Sequence, residues 1–344
     1  MIFLYIIFLL VVSYKENRQL RHLSFLVSAM LLSVRPDDVP DTDNYIRIFE
    51  NPFDPMENGW GDIGYSILNY FCHDLLSLNF SLFFFLLIFL LLELWYISTK
   101  RIFPCEKYGI LFLFFMTYFG LFYLGITIRN GIALIICYLA FSLKVLNTKK
   151  KSYWAVLIII FGATFHKTAI LFLLVLPLLK FDLKKEWKYA IILLSLALTQ
   201  LSKVSIVGNV INFISIYTNQ FDKYNLGDTV DSPVKIFSVT FIYELLITMA
   251  AVYFHRFVSE RKLHVYNMFS NLMLVGFFLQ CLLWQVPSIT RLSRMFFFYS
   301  FVIFYAIIFC NDKLSSAKKN RYAFLVAILN FGVLCYTEST ILNF

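Results

Sequence analysis

Charged residues and residues that interrupt regular structure are scarce in this sequence of 344 residues. Only 15% of the residues are charged, and there are 12 glycines, 8 prolines and 6 cysteines, whereas 60% of the residues are apolar. A water-soluble domain of this length cannot bury so much apolar surface. The composition therefore excludes a soluble protein and predicts a membrane protein whose apolar surface is covered by lipid.

The sequence also lacks the motifs of several common active sites. It contains no glycine-rich phosphate loop, no G-x-S-x-G and no H-E-x-x-H, so ATP hydrolysis and zinc proteolysis have no support. The cysteines form no C-x-x-C pair and lie near no histidine at metal-ligand spacing, which favours a packing role. No basic stretch alternates with aromatic residues, so the net charge of +9 does not indicate nucleic acid. We expect no metal, no cofactor and no nucleic-acid partner.

Apolar runs recur along the whole chain and predict an all-α polytopic integral membrane protein, with a single transmembrane domain over residues 1–344. A hydrocarbon core about 30 Å thick needs about 20 helical residues. Residues 1–13 are interpreted as a retained span, because no basic leader precedes them and no small-residue cleavage site follows. About twelve spans are predicted, near residues 1–13, 22–34, 79–98, 108–126, 130–147, 152–165, 168–180, 188–202, 235–255, 265–286, 292–311 and 321–338.

The distribution of basic residues predicts the orientation of these spans. Most of the 30 lysines and arginines fall in one set of alternate loops, which the positive-inside rule makes cytoplasmic. Both termini are then expected outside, as are two long loops, residues 35–78 and 203–234. The same distribution of basic residues favours a hairpin over one long helix for residues 152–180, with His166 at the outer tip of the hairpin.

Four of the arginines that break the positive-inside pattern lie at or near the starts or ends of predicted spans and need an explanation. They are Arg35, Arg129, Arg291 and Arg294, and the last two are three residues apart, so they share a helix face. Each could anchor its helix among lipid headgroups. Together with His166 they favour a site for a polyanion on the outer side, since the guanidinium fork suits phosphate oxygens. His166 is a candidate for proton transfer or a phosphate contact, with a packing role as the alternative.

Two glutamates lie inside predicted spans. Glu93 is near the inner end of its span, where we expect it to reach the headgroups or to pair with Lys100 or Arg101. Glu244 is near the middle of its span and needs a partner or a proton. A hydrogen bond between helices is favoured there over a proton relay.

Four motifs on the predicted outer side resemble the EpsG family of Wzy-type polysaccharide polymerases, in the expected order. They are D-T-x-x-Y-x-x-x-F at Asp41–Phe49, G-Y at Gly64-Tyr65, R-Q/N-x-x-A at Arg129–Ala133 and F-H-K/R-S/T-A at Phe165–Ala169. A late outer arginine, Arg291 or Arg294, also fits. The sequence departs from the pattern at Val39, where glycine is frequent, and at Asn130, where glutamine is frequent.

This resemblance implies a membrane glycosyltransferase with a GT-C-like architecture and a site formed by the outer loops. It implies metal-independent transfer of a growing glycan from undecaprenyl diphosphate onto an incoming lipid-linked repeat unit, at the outer face of the bacterial inner membrane. The partners implied are lipid-linked oligosaccharides, membrane lipid and a protein that controls chain length.

The resemblance and the residue chemistry together suggest site roles. We expect Arg129, Arg291 and Arg294 to bind diphosphate, with Arg35 in support. Asp41 or His166 would activate or orient the acceptor hydroxyl. Asp43 and Tyr45 would bind sugar, because carboxylates and aromatic rings suit sugar hydroxyls and faces.

Three alternative functions are left open by the sequence. An O-antigen ligase would use the same donor, although the segments after residue 235 are short for such an enzyme. A flippase or exporter of lipid-linked oligosaccharide would need alternating access, and no convincing internal repeat supports it. A non-catalytic scaffold would leave the outer arginines unexplained.

Overall fold

A computed structural model gives the arrangement of the chain for residues 1–14, 17–36, 39–53, 62–104, 107–145, 149–201, 238–283 and 287–344. These described residues are helical, and their only extended pairing is an isolated bridge between Val258 and Asn311. The predicted outer loop 203–234 lies outside them. The helical content agrees with the predicted all-α class.

The chain divides into two compact units, Met1–Leu176 with Leu314–Phe344, and Pro177–Lys313. We call them the first and the second unit. The helices of the first unit are α1 (Ile2–Tyr14), α2 (Arg18–Ser33), α3 (Thr42–Glu50), α4 (Ile63–Tyr70), α5 (Phe80–Ile102), α6 (Tyr108–Phe115), α7 (Ile128–Val145), α8 (Lys149–Phe165), α9 (Leu171–Val175) and, after the second unit, α15 (Ser316–Thr337). The helices of the second unit are α10 (Lys185–Leu201), α11 (Val239–Tyr253), α12 (Glu260–Leu283), α13 (Pro287–Phe297) and α14 (Ser300–Phe309).

Four stretches of helix are long and apolar enough to cross a membrane, by length and composition. They are Phe80–Ile102, Tyr108–Ile126, Lys262–Leu282 and Leu292–Phe309. The other predicted spans mostly coincide with shorter helices, so the predicted number of about twelve stays a prediction. The Phe80–Ile102 span exposes large apolar side chains, with Leu90 64% exposed, as expected for a surface that faces lipid.

Aromatic side chains form the centre of the first unit. Phe25 on α2 lies 4.8 Å, between ring centroids, from Phe112 on α6, and meets the edge of Trp95 on α5 at 6.4 Å. Trp95 also stacks on Phe115 at 5.1 Å. Such rings bury large apolar areas and gain further from edge-to-face and offset contacts. This core fixes α2, α5 and α6 against each other, and the segments that carry the candidate site extend from these helices.

The helix after α6 has an unusual geometry before it reaches Arg129. Residues Met116–Ile126 are π-helical, and the segment ends at Thr127, directly before α7. π-Helical turns are rare and are often found at functional sites. A new helix therefore starts at Ile128, which places Arg129 in its first turn.

The predicted hairpin over residues 152–180 required a break at His166, and a break is present there. Helix α8 ends at Phe165, His166 has an extended backbone with φ −158° and ψ 117°, and a 3₁₀ turn follows at Lys167–Ile170. One continuous helix over this range is therefore excluded. The membrane side of the break stays a prediction.

Glu93 has a different partner from the two basic residues that were considered for it. Its Oε1 lies 2.7 Å from Nδ1 of His22, rather than pairing with Lys100 or Arg101. Helix α2 packs along α5 and so brings His22 to the level of Glu93. The two basic residues are about 10 Å further along α5, since each helical residue adds about 1.5 Å.

Candidate functional site

The D-T-x-x-Y-x-x-x-F motif forms the start and the buried face of α3. Thr42, Tyr45 and Phe49 are buried, at the spacing of one helical face, whereas Asp41 and Asp43 are exposed. Thr42 Oγ1 donates to the carbonyl of Val39 at 2.7 Å. Asp41 has a left-handed backbone, with φ 65°, a conformation that asparagine and aspartate adopt more readily than most residues. The motif therefore shapes this turn and packs the helix.

Arg35 ties the end of α2 to its surroundings through three hydrogen bonds. Its Nη1 donates to the carbonyl of Gly125 at 2.6 Å, its Nη2 to the carbonyl of Pro40 at 3.0 Å, and its Nε to Thr42 Oγ1 at 3.2 Å. The guanidinium thus joins the π-helical segment to the turn before α3. These contacts give Arg35 a structural role, and its support of a diphosphate stays a prediction.

Tyr45 lies beneath two guanidiniums. The centre of its ring is 5.2 Å from Cζ of Arg35 and 5.8 Å from Cζ of Arg129, within cation–π range. The ring also meets the edge of Tyr65 at 6.2 Å, and only 3% of Tyr45 is exposed. Burial raises the pKa of the Tyr45 hydroxyl, and the neighbouring Arg129 partly offsets that rise. Tyr45 therefore supports the two arginines, and its sugar contact stays a prediction.

The G-Y motif explains how α4 comes close to α8. A Cβ atom on Gly64 would lie 2.3 Å from Oγ1 of Thr164 and 3.0 Å from its carbonyl carbon, so only glycine allows this approach. The next residue, Tyr65, is fully buried against Tyr45. Gly64 thus brings the start of α4 to the end of α8, where His166 follows.

Asp62, directly before α4, connects two of the predicted site residues. Its Oδ2 accepts a hydrogen bond from Nη1 of Arg129 at 2.8 Å and lies 3.5 Å from Nδ1 of His166. Asp62 is 7% exposed, whereas about a quarter of each of the Arg129 and His166 side chains reaches the surface. The carboxylate is therefore on the buried side of the cluster, and the cationic and imidazole groups are on its accessible side.

A second arginine–carboxylate pair occurs in the second unit. Nε of Arg294 on α13 lies 3.9 Å from Oε1 of Glu244 on α11, and Glu244 is 2% exposed. Ser293, beside this arginine, donates to Oε1 of Gln280 on α12. Glu244 therefore faces a charged group on a neighbouring helix, but 3.9 Å is too long for the expected hydrogen bond between helices, which stays a prediction. The side chain of Arg291 lies outside the described part of the structure, so its predicted role is untested.

In the first unit the structure brings together Arg35, Tyr45, Arg129 and His166, which come from four separate stretches of sequence. Asp41 and Asp43 lie at the start of α3, the helix that carries Tyr45, but their side chains are exposed. Sequence reasoning missed Asp62, which is one of nine acidic residues between residues 35 and 78. Its place two residues before the G-Y motif was the available signal.

A model of the EpsG family matches residues 18–342, which is nearly the whole chain. Members of that family are Wzy-type polymerases, or glycosyltransferase-like membrane proteins. No curated protein and no solved structure matches the chain. The family match and the apolar helices together indicate a multi-pass membrane protein that acts in polysaccharide biosynthesis.

Proposed function

Because the chain belongs to the EpsG family, we propose that it polymerises a polysaccharide from lipid-linked repeat units. The donor is the growing glycan on undecaprenyl diphosphate, and the acceptor is the sugar at the non-reducing end of an incoming repeat unit. The reaction takes place at the outer face of the bacterial inner membrane and uses no metal. Membrane lipid and a protein that controls chain length are the further partners of this proposal.

The observation that carries the proposal is the cluster of Asp62, Arg129 and His166. A glycosyl transfer from a diphosphate needs a cation where negative charge develops on the leaving group. It also needs an acceptor for the proton of the attacking hydroxyl. Arg129 supplies the first group and His166 the second, and both are partly exposed beside one buried carboxylate.

The proposed transfer is a single displacement at the anomeric carbon of the donor. The acceptor hydroxyl oxygen forms a bond to the anomeric carbon of the donor glycan, and the bond from that carbon to the diphosphate oxygen breaks. The bonding electrons leave with undecaprenyl diphosphate, whose charge Arg129 stabilises. The proton of the hydroxyl passes to His166, or to Asp41 in the alternative assignment. Arg35, Arg291 and Arg294 are the further proposed diphosphate contacts, and Asp43 and Tyr45 the proposed sugar contacts.

The test is an elongation assay with purified protein and undecaprenyl-diphosphate-linked repeat units, with the products separated on a gel. We expect a ladder of longer glycans that remain on the carrier lipid. Arg129→Ala should reduce the ladder about 100-fold to 1,000-fold. It also leaves the buried Asp62 without this partner, so the melting temperature is measured beside the ladder, and Arg129→Lys, which keeps the charge, separates lost stability from lost chemistry. A full ladder from Arg129→Ala would remove Arg129 from the diphosphate role.

The same assay separates the alternative functions. Glycan joined to a lipid A core, without longer carrier-linked products, would identify a ligase. Movement of labelled lipid across liposomes without any elongation would identify a flippase. Either result would overturn the polymerase proposal.

A further inference from the structure

One oxygen of Asp62 lies close to both Arg129 and His166, which have different roles in the proposed reaction. Oδ2 is 2.8 Å from Nη1 of Arg129, the proposed diphosphate contact, and 3.5 Å from Nδ1 of His166, a proposed base. The partners belong to different helical segments, the start of α7 and the end of α8. Asp62 itself precedes α4, so three segments meet at this atom.

Burial distinguishes this contact from a second aspartate–histidine contact among the described residues of the predicted outer loop 35–78. Asp74 Oδ1 also lies 3.5 Å from a histidine Nδ1, that of His73, but more than a third of each of these two side chains is exposed. Exposed pairs are screened by water and contribute little. Only 8% of the Asp62 side chain is exposed, so its carboxylate depends on its protein partners for compensation.

The carboxylate also favours one position for the proton of neutral His166. A carboxylate only accepts hydrogen bonds, so a hydrogen bond between Asp62 and Nδ1 of His166 requires the proton on Nδ1. Nε2 then has the free lone pair and can accept a proton from a hydroxyl. At 3.5 Å the two atoms do not form a hydrogen bond in this structure, and catalytic hydrogen bonds often tighten only when the substrate binds.

We propose that Asp62 is a positioning residue that couples the two halves of the reaction. It holds the Arg129 guanidinium at the diphosphate site and fixes His166 as the Nδ1–H tautomer, so that Nε2 takes the acceptor proton. This inference rests on the proposed function and narrows it, because it selects His166 as the base over the exposed Asp41.

The kinetic test is Asp62→Asn in the purified full-length protein. The neutral amide holds an N–H group more weakly, and its NH₂ group favours the opposite tautomer. We expect kcat of elongation to fall about 100-fold or more, the usual contribution of a positioned acid or base. KM for the donor should change far less. Asp74→Asn is the matched control, an exposed aspartate at a histidine, and should keep the wild-type kcat.

A spectroscopic test reads the tautomer without any activity. The chain has 5 histidines, so nitrogen-15 labelling of histidine gives a small set of signals, and His166→Gln identifies the one of interest. Above the pH range in which imidazole ionises, wild-type His166 should carry its proton on Nδ1. Asp62→Asn should shift that signal toward the Nε2–H form, and Asp74→Asn should leave it unchanged.

The outcomes separate this inference from the proposed function. A wild-type His166 protonated on Nε2 overturns the inference whether or not a ladder forms, and that measurement needs no variant to fold. A rise in KM with unchanged kcat in Asp62→Asn also overturns it, because Asp62 would then act on Arg129 alone. A Nδ1–H tautomer that depends on Asp62, in a protein that never elongates glycan, supports the pairing and overturns the polymerase.

Discussion

Two arginine–carboxylate pairs, one in each unit, differ in how closely the buried acid approaches the guanidinium. Arg129 and Arg294 both expose 25% of their side chains, and each faces a buried acid from another helical segment. In the first unit Asp62 makes a direct hydrogen bond at 2.8 Å and also approaches His166. In the second unit Glu244 is more deeply buried and stands 3.9 Å from its arginine.

Both pairs show how a membrane protein can hold a guanidinium in place and keep it partly accessible. A buried carboxylate compensates the guanidinium and fixes its direction, while part of the side chain stays accessible to a ligand. The first pair also includes an imidazole and can therefore join charge stabilisation to proton transfer. In the second pair, Glu244 on α11 compensates the charge of Arg294 on α13.

The largest expected difference between the two pairs is the effect of the Arg129 substitutions on the elongation rate. Arg129→Ala should lower the elongation rate about 100-fold to 1,000-fold, the usual loss when one donor to a developing charge is removed. Arg129→Lys should fall between this variant and the wild type, because lysine keeps the charge but lacks the planar fork. Rates are read from the product ladder. Equal activity in Arg129→Lys and the wild type would contradict a bidentate role.

The second pair is tested through stability. Arg294→Ala leaves the buried carboxylate of Glu244 without this charged partner, and we expect a loss of about 2 kcal/mol in the free energy of unfolding, the usual cost of an unsatisfied buried acceptor. Adding Glu244→Gln should restore the melting temperature but not the elongation rate. Thermal unfolding in detergent and the ladder assay measure the two quantities. Recovery of both would show that Arg294 has no contact with diphosphate.

A smaller effect is expected where α4 approaches α8. Gly64→Ala places a methyl group 2.3 Å from Thr164 Oγ1 and should cost about 1–2 kcal/mol in stability, as overpacking usually does. It should also lower elongation, since Asp62 lies at the start of this helix. Thr164→Ala in the same chain should recover part of both losses.

Gly332→Ala is the control for that prediction. A Cβ atom there meets nothing within 4 Å, and alanine favours a helix by up to about 1 kcal/mol, so its melting temperature should be unchanged or higher. If both glycine variants behave alike, the close approach of α4 to α8 is not what requires Gly64.

The smallest effect concerns the backbone at Asp41. Because φ is 65° there, Asp41→Ala should be less stable than Asp41→Gly by about 1 kcal/mol, with Asp41→Asn close to the wild type. Unfolding temperatures of the three variants measure this order. Elongation by Asp41→Asn then reports on the carboxylate charge without the backbone cost. An alanine variant as stable as the glycine variant would argue against the left-handed turn.

The helices were largely predictable from the sequence, because apolar runs of helical length leave few alternatives in a membrane. The predicted span 79–98 corresponds to α5 (Phe80–Ile102), and the predicted span 108–126 to the segment Tyr108–Ile126. The π-helical geometry of Met116–Ile126 was not predictable, because it depends on packing rather than on composition. The short helices α3 and α4 lie within a segment that was expected to be an outer loop.

The candidate site was predictable only in part. The arginines and His166 stood out because basic residues are rare on the predicted outer side. Asp62 did not stand out among several acidic neighbours, since its importance comes from burial and from its distance to Arg129. The partner of Glu93 was missed for a related reason. His22 lies 71 positions away in sequence, and only the packing of α2 on α5 brings it near.

The break after the π-helical segment has an electrostatic consequence for Arg129. Because α7 starts at Ile128, the peptide N–H groups of its first turn lack carbonyl partners within the helix, and the macrodipole adds a partial positive charge at this end. That charge can stabilise a nearby anion by about 0.3–1 kcal/mol. The backbone thus contributes positive potential beside the guanidinium, so a chain without Arg129 should retain weak affinity for the lipid diphosphate even when it no longer elongates glycan.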